Sequence, residues 1–260
     1  LMTLKLFDKI VLTNFHLVLF GVLFISLQNI SLMVYLKSSK TKPSLKSILA
    51  YFFYFPKFLA GPIEEPKPFF DQIAHKISFK IANFKQGLRL ILWGIFKKIV
   101  IAQPFGEMAR SAFELHWQNN VLYYLMTITC YLFYIYLDIY AYTSFVKGVS
   151  LMWGIELSNN FEKPLQAKNI IEFWKKQHVS LTNWVFKYLY IPARKYLKIN
   201  WPFAILLVFA IIGVLHKAKF TFLIYGLLHG FYYLITDFAS RYDLFPTKNS
   251  FIKVAVHIGK

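Results

Sequence analysis

From Val121 to Tyr142 the chain runs through aliphatic and aromatic residues with a single charged side chain, Asp138. A helical stretch of about 20 apolar residues matches the hydrocarbon thickness of a bilayer. Similar runs recur at Ile10–Leu36, Leu88–Phe105, Trp201–Leu215 and Phe220–Phe238. Hydrophobic residues make up 57% of the chain and mean hydropathy is +0.45. Too little polar surface remains to cover a water-soluble core, so the expectation is an all-α polytopic membrane protein.

The charge fits that expectation. Thirty Lys and Arg against twelve Asp and Glu give a formal +18. A basic stripe would suggest nucleic acid. Here the cations fall between the apolar runs, as at Lys37, Lys40, Lys42 and Lys46. That pattern belongs to cytoplasmic loops facing anionic lipid, and no nucleic-acid partner is expected. The one cysteine, Cys130, lies in an apolar run, which leaves no internal disulfide and no cysteine metal cluster. No metal site is expected.

Two stretches depart from simple spans. Ile48–Ile63 is short and contains Pro56, Gly61 and Pro62. It reads as a re-entrant or interfacial segment, which at membrane depth needs protein or a water cavity around it. Leu165–Lys198 mixes Trp174, Trp184, Tyr188 and Tyr190 with seven basic residues and reads as an interfacial helix at a cavity mouth. Phe69–Phe84 reads as an amphipathic surface helix, Gly106–Asn120 as a segment on the outer side, and Val146–Ile155 as a further apolar stretch beyond Tyr142.

Ionisable groups inside spans are functional candidates by default. Asp138, His216 and His229 qualify, and His178 joins them from the interfacial stretch. A buried neutral imidazole can take a proton from a hydroxyl and pass it on. The plainer reading of each histidine is a helix cap or a carbonyl partner. Asp138 is either a site-organising acid or a helix-end residue bonded to neighbouring tyrosines. On one straight helix His216 and His229 would lie roughly 20 Å apart, but Lys217-Ala218-Lys219 suggests a break between two helices. Gly213-Val-Leu-His216 and Gly226-Leu-Leu-His229 look alike but are too short to define a repeat.

Five ordered stretches resemble the membrane-bound O-acyltransferase family, its alginate O-acetylation branch first and its teichoic-acid D-alanyl transfer branch next. They are Phe55 to Ile63 with Phe69 to Gln72; Asp138 through Asn160, Phe161 and Pro164; Glu172 to Leu181 with Trp184 and Tyr190 to Pro192; Gly213 to His216; and Gly226 to Gly230. The resemblance implies a ring of transmembrane, re-entrant and interfacial helices around a tunnel, forming one membrane-embedded domain over residues 1–260 in the inner or plasma membrane. It implies that a cytoplasmic acyl thioester, such as acetyl-coenzyme A, serves as substrate with no bound cofactor. The acceptor would be a hydroxyl of an exported polysaccharide or a periplasmic acyl-transfer partner. His216 and His178 take the catalytic positions, and Asp138 and His229 supporting ones. The segments also depart from the family pattern: Lys217 follows His216, Gln177 stands where a Trp precedes the histidine, and Ser144 takes the place of a second Asp. A transporter-like protein and an inactive family fragment therefore stay open as alternatives. The first residue, Leu1, and the incipient segment Phe251–Lys260 suggest a piece of a longer protein.

Overall fold

A computed structural model describes residues 22–58, 61–74, 79–114, 120–216 and 218–242. The described chain is helical, apart from loops and one isolated antiparallel bridge, Phe161 with Gln177. It divides into two compact units, Leu1–Asn160 and Phe161–Lys260.

In the first unit, α1 (Val22–Ser38) covers the described part of the first expected span. The broken segment is broken as expected. Helix α2 (Leu45–Phe52) starts at Ser44, whose hydroxyl accepts from Ser47 N, and a 3-10 turn over Phe55–Lys57 follows with Pro56 in its first turn. A Cβ on Gly61 would fall 2.4 Å from Lys57 Cα, so the chain can fold back over Lys57 only with glycine there.

Helix α3 (Pro66–Ala74) then corrects one expectation. Phe69 and Phe70 do not face outward as the apolar side of a surface helix. Both are buried against the Tyr51 ring, at centroid distances of 5.3 and 5.5 Å, in a core completed by Leu32, Val146, Ile155 and Leu157. Amphipathic periodicity over Phe69–Phe84 gave one surface helix, whereas two helices form, because the aromatic pair finds tertiary partners. Lys76, part of that expectation, lies outside the described residues.

Helix α4 (Ile81–Phe96), a π-helical segment (Lys97–Ala102) and α5 (Gln103–Glu114) form one continuous helical path. The stretch expected on the outer side, Gly106–Asn120, is helical through Glu114. Good helix formers such as Glu107, Met108, Ala109, Arg110 and Ala112 carry the helix past the apolar run. Helix α6 (Val121–Met152) merges two expected stretches into one helix of 32 residues. Asn120 caps its start by accepting from Leu122 N at 3.0 Å. Its end is turned by Gly154 at φ 79°, whose N–H bonds Leu151 O at 2.9 Å. Helices α4 and α6 touch at small residues seven apart: a Cβ on Gly87 would meet Gly148 O at 2.6 Å, and one on Gly94 would meet Ala141 O at 2.9 Å. Such small-residue contacts let helix backbones approach closely where lipid offers no hydrophobic drive.

In the second unit a 3-10 turn (Pro164–Gln166) leads to α7 (Ile170–Lys176), α8 (Val179–Val185), a π segment (Phe186–Tyr190) and α9 (Ile191–Lys195). The expected interfacial helix is thus a string of short pieces broken at His178. Helices α10 (Trp201–His216) and α11 (Phe220–Arg241) follow, with the expected break between them. By length and apolarity α6 and α11 can cross a membrane, and α1 and α10 are shorter apolar helices.

Candidate active site

The break between α7 and α8 is a built corner. Asn169 caps α7 by accepting from Glu172 N at 2.8 Å, and Glu172 in turn accepts from Lys168 N and from Lys176 Nζ. That lysine hydrogen bond, with the Lys168 N–H, holds the Glu172 carboxyl below its usual range. At the far end Gln177 N still donates to Phe173 O, and then His178 turns out at φ 47° and ψ 52°. A left-handed non-glycine residue costs on the order of 1–3 kcal/mol and persists only where its surroundings impose it. Two clamps impose it here. Thr182 Oγ1 donates to Trp174 O and Gln177 O at 3.0 and 3.2 Å, and Glu162 N donates to Lys176 O at 3.0 Å.

The His178 ring packs on Phe161 with centroids 4.9 Å apart. Burial, with a smaller contribution from His216, pushes its imidazole down to about 4. His216 lies at the end of α10 and adds to that lowering. At neutral pH His178 is an uncharged donor and acceptor.

His229 stands at a different level. Helices α10 and α11 touch at Gly213 and Gly226. Each histidine lies three residues past its glycine, and the two helices run antiparallel. Six residues of rise place His216 and His229 about 9 Å apart along the axes. His229 packs instead against Tyr225 at 4.5 Å and edge-on to Trp174 at 5.3 Å and 87°. Its Nδ1, Trp174 Nε1 and Gln177 Oε1 are buried with no hydrogen-bond partner. Leaving such an atom unpaired costs about 1–3 kcal/mol.

Asp138 belongs to the first unit and lies midway along α6. Its carboxylate forms an ion pair with Lys98 in the π segment, rather than ending a helix among tyrosines. The neighbouring Lys97 donates to Ser144 Oγ at 2.9 Å and sits 3.6 Å over the Tyr140 ring. Sequence reasoning passed over both lysines, although two adjacent cations inside the Leu88–Phe105 run were the signal.

It also missed a buried pair in the same unit. Lys57 Nζ lies 3.8 Å from the Tyr51 ring centre with no hydrogen-bond partner, and burial lowers it to about 7. Glu64 accepts from Ser158 N and Oγ at 2.7 and 3.0 Å, while burial raises its carboxyl. Among the described residues no three His, Cys, Asp or Glu side chains group as metal ligands.

The profile of MBOAT, the membrane-bound O-acyltransferase family, matches residues 3–256. The chain belongs to this family. It is 34% identical over 68% of its length to a peptidoglycan O-acetyltransferase of Helicobacter pylori. It is 29% identical over 83% to a probable alginate O-acetylase AlgI of Pseudomonas aeruginosa, and 25% identical over 86% to a teichoic acid D-alanyltransferase of Bacillus subtilis. The matched parts are 34%, 42% and 60% of those three proteins' own lengths, so the chain spans less than two thirds of each. Both branches that the sequence resembles are thus among its relatives, and the family is membrane-bound.

Proposed function

We propose that this chain carries the transfer site of a membrane O-acyltransferase that moves an acyl group, acetyl in the first instance, from a thioester to a hydroxyl of an exported polysaccharide. The observation that carries the proposal is the strained corner that presents an uncharged, half-buried His178 on the Phe161 ring, with His216 acting on its charge. Relatives named as O-acetyltransferase and O-acetylase support the acyl group and the acceptor class.

In this reading His216 takes the proton as the acceptor oxygen attacks the thioester carbonyl. His178 donates an N–H toward the carbonyl oxygen as negative charge develops there. The carbon–sulfur bond then breaks, and the thiolate leaves and is reprotonated from His216. His229 supports the site. The acyl donor is a substrate, and acetyl-coenzyme A is the first to try. Helices ringing a tunnel across the bilayer would let a cytoplasmic donor meet an acceptor on the other face.

The test is His216→Ala in the full chain, in membranes, with radiolabelled acetyl transfer to surface polysaccharide as readout. Loss of a positioned general base lowers the rate by roughly 10²–10⁴-fold, with membrane insertion retained. Undiminished transfer rejects the assignment.

A further inference from the structure

Among the described residues, three buried polar atoms of the second unit lack a partner, and they gather at the corner that presents His178: Trp174 Nε1, Gln177 Oε1 and His229 Nδ1. Buried polar atoms without partners are rare, and each calls for an explanation. Trp174 lies in the last turn of α7 and Gln177 is the residue that ends the helix. Their backbone is pinned by the shared Thr182 hydroxyl. The Trp174 indole is wedged between Phe209 at 5.1 Å and His229 at 5.3 Å. The groups are thus rigidly held and unsatisfied.

The donor–acceptor pattern selects a chemistry. Indole N–H only donates, and an amide oxygen only accepts. A secondary amide offers both complements in one planar group: its carbonyl for Trp174 and its N–H for Gln177. In a pantetheine arm two methylene groups separate the thioester sulfur from such an amide. Gln177 immediately precedes His178. An amide docked at Gln177 therefore sets the thioester next to the His178 ring.

We propose that Trp174, Gln177 and His229 form a subsite for the amide of a pantetheine arm, with Gln177 reading its N–H and His229 Nδ1 closing the polar ring. The proposal rests on the acyl-transfer reading of His216 and His178. Coenzyme A and a pantetheinylated carrier protein present the same arm, so the subsite serves either.

The test uses the full chain in lipid nanodiscs and two small donors, S-acetyl-N-acetylcysteamine and its isostere with an ester oxygen in place of the amide N–H. The wild-type chain is expected to favour the amide donor by about tenfold or more in kcat/KM, the value of one satisfied hydrogen bond. Gln177→Leu should bring that ratio toward one. Trp174→Phe, which keeps an aromatic ring but loses the N–H, should lower kcat/KM for both donors, since both keep the carbonyl. A ratio is independent of how much of a variant is folded. A wild-type ratio of one overturns the subsite, as does a ratio untouched by Gln177→Leu. A Gln177→Leu effect on acceptor KM alone also overturns it, in favour of a sugar hydroxyl. Absence of transfer from either donor by the wild-type chain overturns the acyl-transfer reading itself. Comparing acetyl-coenzyme A with an acetylated, pantetheinylated carrier protein identifies the source of the arm: the donor that shows the larger loss on Gln177→Leu is the one the subsite reads.

Discussion

Gly213 and Gly226 meet backbone to backbone, and they do so symmetrically: a Cβ on Gly213 would fall 2.2 Å from Phe222 O, and one on Gly226 would fall 2.2 Å from Phe209 O. In both helices the contact phenylalanine stands four residues before the glycine and the histidine three residues after it. The likeness between the two short segments is therefore a local two-fold relation through the helix contact. Gly226→Ala must push α11 off α10, because the obstacle is backbone. The expected cost is about 1–3 kcal/mol, with acyl transfer falling as His216 is displaced. Gly106→Ala, whose Cβ meets only the Tyr134 ring at 2.9 Å, should cost less. Thermal unfolding in detergent ranks the two, and equal losses would contradict the contact.

His178 gives the protein an acid-side dependence. In the unfolded chain its imidazole titrates near 6.5, and in the fold near 4. Between those values the unfolded state binds more protons, so stability falls as pH falls. The contribution of His178 is complete above about 6.5 and is lost progressively toward 4. His178→Asn keeps a residue tolerant of the left-handed turn and removes the titration. Its Tm should decline less between pH 6.5 and 4 than that of the wild-type chain. Parallel declines would count against a buried neutral ring.

Lys57 acts in the alkaline range. Its amine falls from 10.5 to about 7 on folding, so between those values the unfolded state again holds the extra proton and stability rises with pH. Glu64, raised by burial, acts in the opposite sense. Lys57→Met should raise Tm at pH 7 by roughly 2–5 °C and flatten the rise between pH 7 and 10.5. A lower Tm for the variant at pH 7 would show that the cation on the Tyr51 and Phe69 rings outweighs its desolvation.

The Lys98–Asp138 pair joins two helices midway along their lengths. Asp138→Asn strands one cation and should lose about 1–2 kcal/mol. Adding Lys98→Gln should recover part of that loss. Additive losses in the double-mutant cycle would mean that the pair contributes nothing.

The sequence disclosed what is local. Apolar runs announced the long helices, Pro56 and Gly61 the broken segment, and Lys217-Ala218-Lys219 the end of a helix. What it hid is non-local. Asp138 takes its partner 40 residues away, Glu64 its partner 94 residues away, and Phe69 its ring neighbour from α2. Such pairings leave no periodic trace. The corner at His178 was read as an uninterrupted helix because its cause, the Thr182 hydroxyl and the Phe161–Glu162 strap, comes from outside the turn it bends.

Helix α6 is 32 residues long, and at 1.5 Å per residue it measures about 48 Å against an oil layer of about 30 Å. The α4–α5 path beside it is of similar length. Even a lean of about 40°, near the limit for membrane helices, leaves several ångströms unimmersed. The surplus has a use at the C-terminal end of α6, where Val146, Ile155 and Leu157 join the Tyr51–Phe69–Phe70 core. That knot gives the surplus length a protein partner, so the end of α6 is held by packing that does not depend on lipid.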